Sequence, residues 1–323
     1  MTNTLNWAIM GTGEIAYDFA KAIQAVNGKI YAVAARRLSK AQAFADQYQI
    51  DHVYDDFQTM LQQPDIDVVY IATPHSSHYE YIIESLHHQK HVFCEKAITV
   101  NSQQLSEIQA LATKQQRIVA EAMTIYHMPL YKQLRTILDS GQLGALKMVQ
   151  VSFGSAKPYD VNSRFFNPDL AGGALLDIGT YALSFARYFL SSQPHDIVTT
   201  VKTFETGVDE QSGILLQNKD NELAVISLTM RAKMPKRGVV AGELGFITVD
   251  DFPRADQATI TYLDGRSEVI QAGHTEDALK YEIEHMNNII LHAQKETTLP
   301  LSIDVMQIMS NVRQQWGISY PFE

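Results

Sequence analysis

One cysteine in 323 residues leaves no internal disulfide, and Cys94 has no companion thiol for a CxxC metal site. Long apolar runs are also missing: none approaches the roughly 20 residues that span a bilayer. Positive charge is in short supply. With 26 Lys and Arg against 36 Asp and Glu, the net charge is −10. Such a chain repels phosphate backbones, which argues against nucleic acid as a partner. The opening Met1-Thr2-Asn3-Thr4-Leu5-Asn6 has neither the basic nor the apolar region of a signal peptide, so a cytoplasmic location is expected. There is no internal repeat and no low-complexity linker. What is present, 46% apolar and 19% charged residues, is the composition of an ordinary folded protein. The length suits two domains of roughly 100–200 residues.

Short apolar runs at 7–10, 30–34, 68–72, 91–94 and 118–120 alternate with amphipathic stretches at 14–26, 39–48, 77–88 and 102–114. Runs without polar alternation indicate strands buried on both faces. The βαβα rhythm predicts an α/β fold with a doubly wound parallel sheet over residues 1–122. Beyond 123 the rhythm changes. A helix at 130–138 should end at Ser140-Gly141, and a second should run from about 173 to 190. Between 196 and 271 strand follows strand, with clear turns at Asn218-Lys219-Asp220-Asn221 and Asp264-Gly265. A mainly antiparallel open sheet in an α+β domain, 123–323, follows. Two helices, 277–295 and 303–316, close the pattern, the last of them free to pack back on the first domain.

Gly11-Thr12-Gly13-Glu14-Ile15-Ala16 reads GxGxxA between the first strand and the first helix. Gly11 permits the tight turn, Gly13 lets backbone approach a pyrophosphate, and Ala16 allows close helix–strand packing. Thr12, Glu14 and Ile15 complete a turn whose helix N-terminus faces the negative charge. The second strand ends in Arg36-Arg37 and offers no Asp or Glu for a ribose 2′-hydroxyl. A guanidinium suits a 2′-phosphate, so NADP(H) is expected, with NAD(H) as the alternative.

These features join others into a resemblance: Ala72-Thr73-Pro74, then Cys94-Glu95-Lys96-Ala97, then Gly172-Gly173-Ala174-Leu175-Leu176-Asp177-Ile178-Gly179-Thr180-Tyr181. Across nearly its whole length the chain resembles the glucose–fructose oxidoreductase/inositol dehydrogenase (Gfo/Idh/MocA) family, in particular its dihydrodiol and NADP-dependent xylose dehydrogenase branch. The resemblance implies hydride transfer between a nicotinamide and a hydroxyl-bearing carbon of a sugar, polyol or cyclic diol. It places Thr73, Pro74, His75 and Glu95 near the cofactor and His78 beside the nicotinamide ribose, or in a structural role. It also implies a homodimer, or a tetramer, formed through the open sheet. Met230, Val239, Ile247, Val249 and Ile260 are expected on that free face.

Two departures stand out. Ala97 replaces the family's usual proline, and a cis bond before alanine is disfavoured by about 3–4 kcal/mol, so a trans bond or a slightly reshaped turn is expected. Residues 121–127, which line the family's substrate pocket, read Glu-Ala-Met-Thr-Ile-Tyr-His instead of carrying Trp and Arg.

Lys96 follows a buried strand, where the carboxyl ends of parallel strands form the ligand crevice. Its ammonium can donate to a substrate oxygen. Asp177 and Tyr181 are four apart and share a helix face. Carbonyl–alcohol interconversion needs a proton at oxygen, which Tyr181 can supply or remove. An ordinary tyrosine titrates near 10, so Lys96 is expected to assist it. Asp177 would position substrate or the tyrosine. Tyr126, Tyr159, Arg164 and Phe165 are candidate substrate contacts; Arg164 reads equally as a solvated loop residue. The histidines show no ligand spacing, so no metal is expected. The alternative function on this fold is a non-catalytic dinucleotide sensor, which has no chemical need for both Lys96 and Tyr181.

Overall fold

In the computed structural model, which describes residues 4–292 and 297–323, the apolar runs near the start all become strands. The chain runs β1 (Asn6–Met10), α1 (Glu14–Ala25), β2 (Lys29–Ala34), α2 (Leu38–Tyr48), β3 (His52–Tyr54), α3 (Phe57–Leu61), β4 (Val68–Ile71), α4 (His78–His87), β5 (His91–Glu95), α5 (Ser102–Gln115) and β6 (Val119–Ala122). The six strands pair in parallel in the order β3-β2-β1-β4-β5-β6, a doubly wound α/β sheet. β4 is buried at all four positions, as a strand covered on both faces must be. α1 turns Ala16, Phe19, Ala20 and Ile23 inward at helical spacing. Phe19 stacks on Tyr70 at 3.5 Å, and Trp7 and Phe93 close the cluster. β3 and α3, three and five residues long, were not expected from the sequence.

The second set of elements comprises α6 (Pro129–Asp139), β7 (Leu146–Gly154), α7 (Thr180–Phe189), β8 (Pro194–Thr203), β9 (Asp209–Asn218), β10 (Leu223–Thr229), β11 (Met234–Gly242), β12 (Gly245–Asp250), β13 (Gln257–Tyr262) and β14 (Ser267–Gln271). The eight strands order as β14-β13-β12-β11-β7-β10-β9-β8, antiparallel except where β7 and β10 run together. The helical stretch expected from about 173 begins as a π-helical turn, Leu175–Gly179, before α7. α8 (Ala278–Leu291) and α9 (Leu299–Trp316) follow; the end expected for α8, Lys295, lies outside the described residues.

The chain divides into two compact units: residues 1–99, 103–122 and 279–300 form one, and 100–102, 123–278 and 301–323 the other. The helix that groups with the first unit is α8, while α9, read from the sequence as free to pack back on the first domain, groups with the second. Leu279, Ile283 and Met286 supply apolar side chains to the first unit's core. α9 belongs to the second unit, where Trp316 donates to Thr199 Oγ1 on β8 at 3.1 Å.

One face of the eight-stranded sheet packs on α7: a Cβ built on Gly238 would lie 2.2 Å from the Phe185 ring. Here the expected free face needs correction. Met230, Ile247, Val249 and Ile260 are all buried, at 0% exposure. Val239 lies on the other face, because it pairs with Thr248 while Val249 pairs with Gly238 and Ile247 with Val240. Strand side chains alternate, so a set that mixes odd and even neighbours cannot share a face. The row that does share Val239's face runs Val198, Leu215, Val225, Gln150, Val239, Thr248, Thr259, Val269, apolar at its β8–β9–β10 end and mixed beyond.

Candidate active site

The first unit presents its glycine turn where β1 meets α1. Gly11 has φ +94°, and a Cβ there would lie 2.6 Å from the Ala72 carbonyl oxygen, so a side chain is barred on both counts. Its N–H donates to Ala34 O at 2.8 Å, which ties the turn to the end of β2. Gly13 is the N-cap of α1 with extended backbone, and a Cβ on it would meet nothing closer than 3.9 Å. Backbone can therefore be approached closely there, beside first-turn amides that no intrahelical carbonyl satisfies. Thr12 and Ile15 are half-buried and Glu14 is exposed around this opening, a cradle that fits a pyrophosphate. At the carboxyl end of β2, Arg36 and Arg37 are exposed, and Arg37 is the N-cap of α2. Arg36 also sits within electrostatic range of Tyr81, whose hydroxyl burial holds above its usual range.

The loops after β4 and β5 are laced together by two histidines. His75 Nε2 lies 3.0 Å from Lys96 O. His78 is wholly buried, with Nδ1 2.9 Å from Ala97 O and Nε2 2.9 Å from Thr73 O. Two carbonyls would suit a doubly protonated ring, but burial dominates and holds His78 below its usual pKa, with the Lys96 charge acting in the same direction. The structure thus places His78 as a clamp on this unit's own backbone. Thr73 is further fixed by Ser77, whose hydroxyl donates to Thr73 Oγ1 at 2.9 Å; Pro74 is the exposed residue between.

The Lys96–Ala97 peptide is cis, contrary to expectation. The residues around it account for the turn: the carbonyls of Lys96 and Ala97 are each held by a histidine, and the Ile98 N–H donates to buried Glu121 at 3.0 Å. Glu95, half-buried beside Lys96, accepts the hydroxyl of Tyr70.

In the second unit Asp177 occupies the π-helical turn and Tyr181 the first turn of α7. Asp177 is 8% exposed and lies 3.8 Å from Arg164 Nη2. Arg164 in turn covers the Phe165 ring at 4.5 Å, with Lys157 on the same ring. The Phe165 carbonyl accepts from Gly173 N–H at 2.9 Å, which ties the loop to the glycine pair. Arg164, Phe165, Gly172, Gly173 and Asp177 are therefore brought together. Tyr181 is half-buried, its ring 6.4 Å from Phe153. Tyr126 is buried, with its hydroxyl on Ser184 Oγ at 3.0 Å, and Tyr159 is exposed, donating to Glu205 at 2.7 Å. Among the described residues one group, Asp256, His274 and Glu276, brings three possible ligand atoms within 4.8 Å of one another. It is an exposed to half-buried cluster that includes none of the site residues above.

Residues 5–123 match the oxidoreductase family with an NAD-binding Rossmann fold, and residues 131–248 match the GFO/IDH/MocA C-terminal domain. The trans-1,2-dihydrobenzene-1,2-diol dehydrogenase of Xenopus laevis is 32% identical over 330 residues, covering 98% of this chain and 99% of that one. The chain belongs to the GFO/IDH/MocA oxidoreductase family. Its first unit is that family's dinucleotide-binding Rossmann fold. The scyllo-inositol 2-dehydrogenase (NADP(+)) IolU of Bacillus subtilis is 28% identical over 327 residues, 98% of each chain. Among solved structures, a levoglucosan dehydrogenase in complex with NADH and levoglucosan superposes with TM-score 0.88 over 99% of this chain and 100% of that one. At 17% identity it shares the fold.

Three residues of this GFO/IDH/MocA chain escaped the sequence reading. Asp209, at the start of β9, is fully buried and accepts the Leu175 N–H at 2.7 Å. It fixes the entry to the turn that carries Asp177, and a Cβ on Gly173 (φ +119°) would lie 2.1 Å from its Oδ1. Burial pushes its pKa up to about 6. Tyr320 donates to the Gly172 carbonyl at 2.9 Å from near the other end of this unit's sequence. Lys40, in the first turn of α2, adds a third cation after Arg36 and Arg37. Only Lys40 was within reach of local reading.

Proposed function

We propose that the chain is an NADP(H)-dependent dehydrogenase acting on a hydroxyl carbon of a sugar, polyol or cyclic diol, with NAD(H) as the weaker cofactor. Residues 1–122 bind the dinucleotide and 123–323 bind substrate and dimerise. The observation that carries the cofactor choice is the exposed Arg36–Arg37 pair at the end of β2, where an NAD-preferring site offers a carboxylate. Gly11, Thr12, Gly13, Glu14 and Ile15 hold the pyrophosphate, and the loops of Thr73, Pro74, His75, His78 and Glu95 shape the nicotinamide end. The names of the relatives, a dihydrodiol and an inositol dehydrogenase, support the substrate class.

When bound, the nicotinamide supplies the hydride acceptor or donor. Everything else falls to side chains. The Tyr181 hydroxyl takes the proton from the substrate oxygen in oxidation and returns it in reduction. The Lys96 ammonium stabilises the negative charge that develops on that oxygen. Asp177, paired with Arg164, orients substrate hydroxyls, and the buried Asp209 keeps its turn in place through Leu175. Tyr126, Tyr159 and Phe165 complete the substrate side.

A cytoplasmic location is part of this reading, and assembly as a homodimer, or a tetramer, is supported by Val198, Leu215 and Val225, which expose 64, 42 and 37% of their surface in adjoining positions on the open sheet face. No helix of the described residues is long and apolar enough to cross a membrane. A screen of NADP+ reduction across sugars, inositols, polyols and cyclic diols tests the proposal. Turnover on one class supports it. Binding of NADPH with no turnover on any would favour the sensing role instead.

A further inference from the structure

The parallel sheet has a second, unassigned opening at the amino ends of its strands. Asp67 precedes β4, Lys90 precedes and His91 opens β5, Arg117 precedes β6, and together with His88 they line a cavity of about 440 Å³. It lies away from the cofactor turn: His91 and Lys96 are separated by the length of β5, about 16 Å at 3.3 Å per residue.

The chemistry of the lining is unbalanced. Lys90 is 5% exposed, and the contacts of its Nζ are to carbonyls, Gln63 O at 2.6 Å and Ile66 O at 3.0 Å. Among the described residues it has no carboxylate within ion-pair distance, and one N–H is left over. A buried cation with no direct salt bridge is uncommon; Asp67 and Asp65 act on Lys90 only through space, and a second cation, Arg117, stands near it. Arg117 is half-buried and pinned by Nε to Gln89 O at 2.7 Å and by Nη1 to Gln116 O at 3.1 Å. Its Nη2 meets no acceptor among the described residues. His91 accepts the Ile118 N–H on Nδ1 at 2.9 Å, so its neutral ring carries the proton on Nε2. Burial, with Arg117, lowers the His91 pKa to about 4, so it acts as a neutral donor at physiological pH. Asp67 spends Oδ2 on the Asn6 N–H at 2.8 Å, and its other oxygen remains an acceptor.

We propose that this cavity binds a phosphate monoester of a small polyhydroxy compound, with the phosphoryl group on Lys90, Arg117 and His91 and a hydroxyl on Asp67. In the lining itself two cations face one carboxylate, with Asp65 acting on Lys90 from outside it, and Lys90 Nζ, Arg117 Nη2 and His91 Nε2 keep donors for an anion. An arginine edge with a lysine point charge is the donor set that phosphoryl oxygens take. Asp67 repels a second anionic group but accepts a hydroxyl, and the cavity is larger than inorganic phosphate alone requires.

Isothermal titration of the full-length protein with glycerol 3-phosphate, inorganic phosphate and glycerol tests this. Glycerol 3-phosphate should bind more tightly than inorganic phosphate, and glycerol not at all. Arg117→Gln should weaken glycerol 3-phosphate at least tenfold while turnover stays native. His91→Asn, which keeps an acceptor for the Ile118 N–H and removes the Nε2–H, should weaken it several-fold. Arg36→Asp should leave it unchanged. No binding to the native protein at tens of millimolar, undiminished binding in Arg117→Gln, or loss in Arg36→Asp (binding at the cofactor site) would each overturn the proposal.

Discussion

Asp209→Asn isolates the buried carboxyl that holds the turn carrying Asp177. Burial raises the folded-state pKa from 3.8 to about 6, against the opposing effect of the Leu175 N–H. Between those values the folded protein keeps a proton that the unfolded chain has released, so stability falls as pH rises. The favourable contribution is complete below about pH 3.8 and lost above about pH 6. The full span is about 2.2 pH units at 1.36 kcal/mol each, or about 3 kcal/mol. From about pH 4.5 to 7, which takes in roughly the upper 1.5 units of that range, the native protein should lose about 2 kcal/mol that the variant does not. Asparagine keeps a side-chain oxygen for the Leu175 N–H, so the variant should fold and its dependence should be flatter. Urea unfolding of both proteins at the two pH values, followed by circular dichroism, gives the difference directly. Parallel stability curves for native and Asp209→Asn would refute a raised Asp209 pKa.

Arg36→Asp should weaken NADPH about tenfold to hundredfold and leave NADH within a few-fold, the loss expected for one charge-assisted contact; fluorescence titration of both cofactors reads it. Gly11→Ala should destabilise by about 1–3 kcal/mol, since alanine must adopt φ +94° against the Ala72 carbonyl, and should weaken both dinucleotides alike in denaturation and titration experiments. Light scattering should give a mass of at least twice 36.3 kDa, and Leu215→Lys, between exposed Val198 and Val225, should shift it toward the monomer.

What was legible in the sequence was local. The positive φ that calls for glycine at Gly11 belongs to a local strand–turn–helix, although the Ala72 carbonyl that also bars a side chain there comes from β4's end, and the buried runs of β1, β4 and β5 declare themselves by composition. What stayed hidden depends on partners far along the chain. Which face Val239 or Val249 occupies is set by pairing across β11 and β12, which apolarity alone does not reveal. Asp209 meets Leu175 across 34 residues, and the turn at Ala97 is held by His78 and Glu121, 19 and 24 positions away from it. β3 is three residues long, too short for any period to show. The π-helical turn at Leu175–Gly179 differs from an α-helix by a hydrogen-bond offset that residue spacing does not record.

The assignment of the proton to Tyr181 is the centre of the account. Tyr181→Phe removes one hydroxyl and leaves the glycine turn, Arg36 and Arg37 untouched. On a substrate that the native protein turns over, the variant should lose roughly 10²–10⁴-fold in kcat, with NADPH affinity within a few-fold of native. Turnover within a few-fold of native would contradict it and make Tyr181 a packing residue beside Phe153.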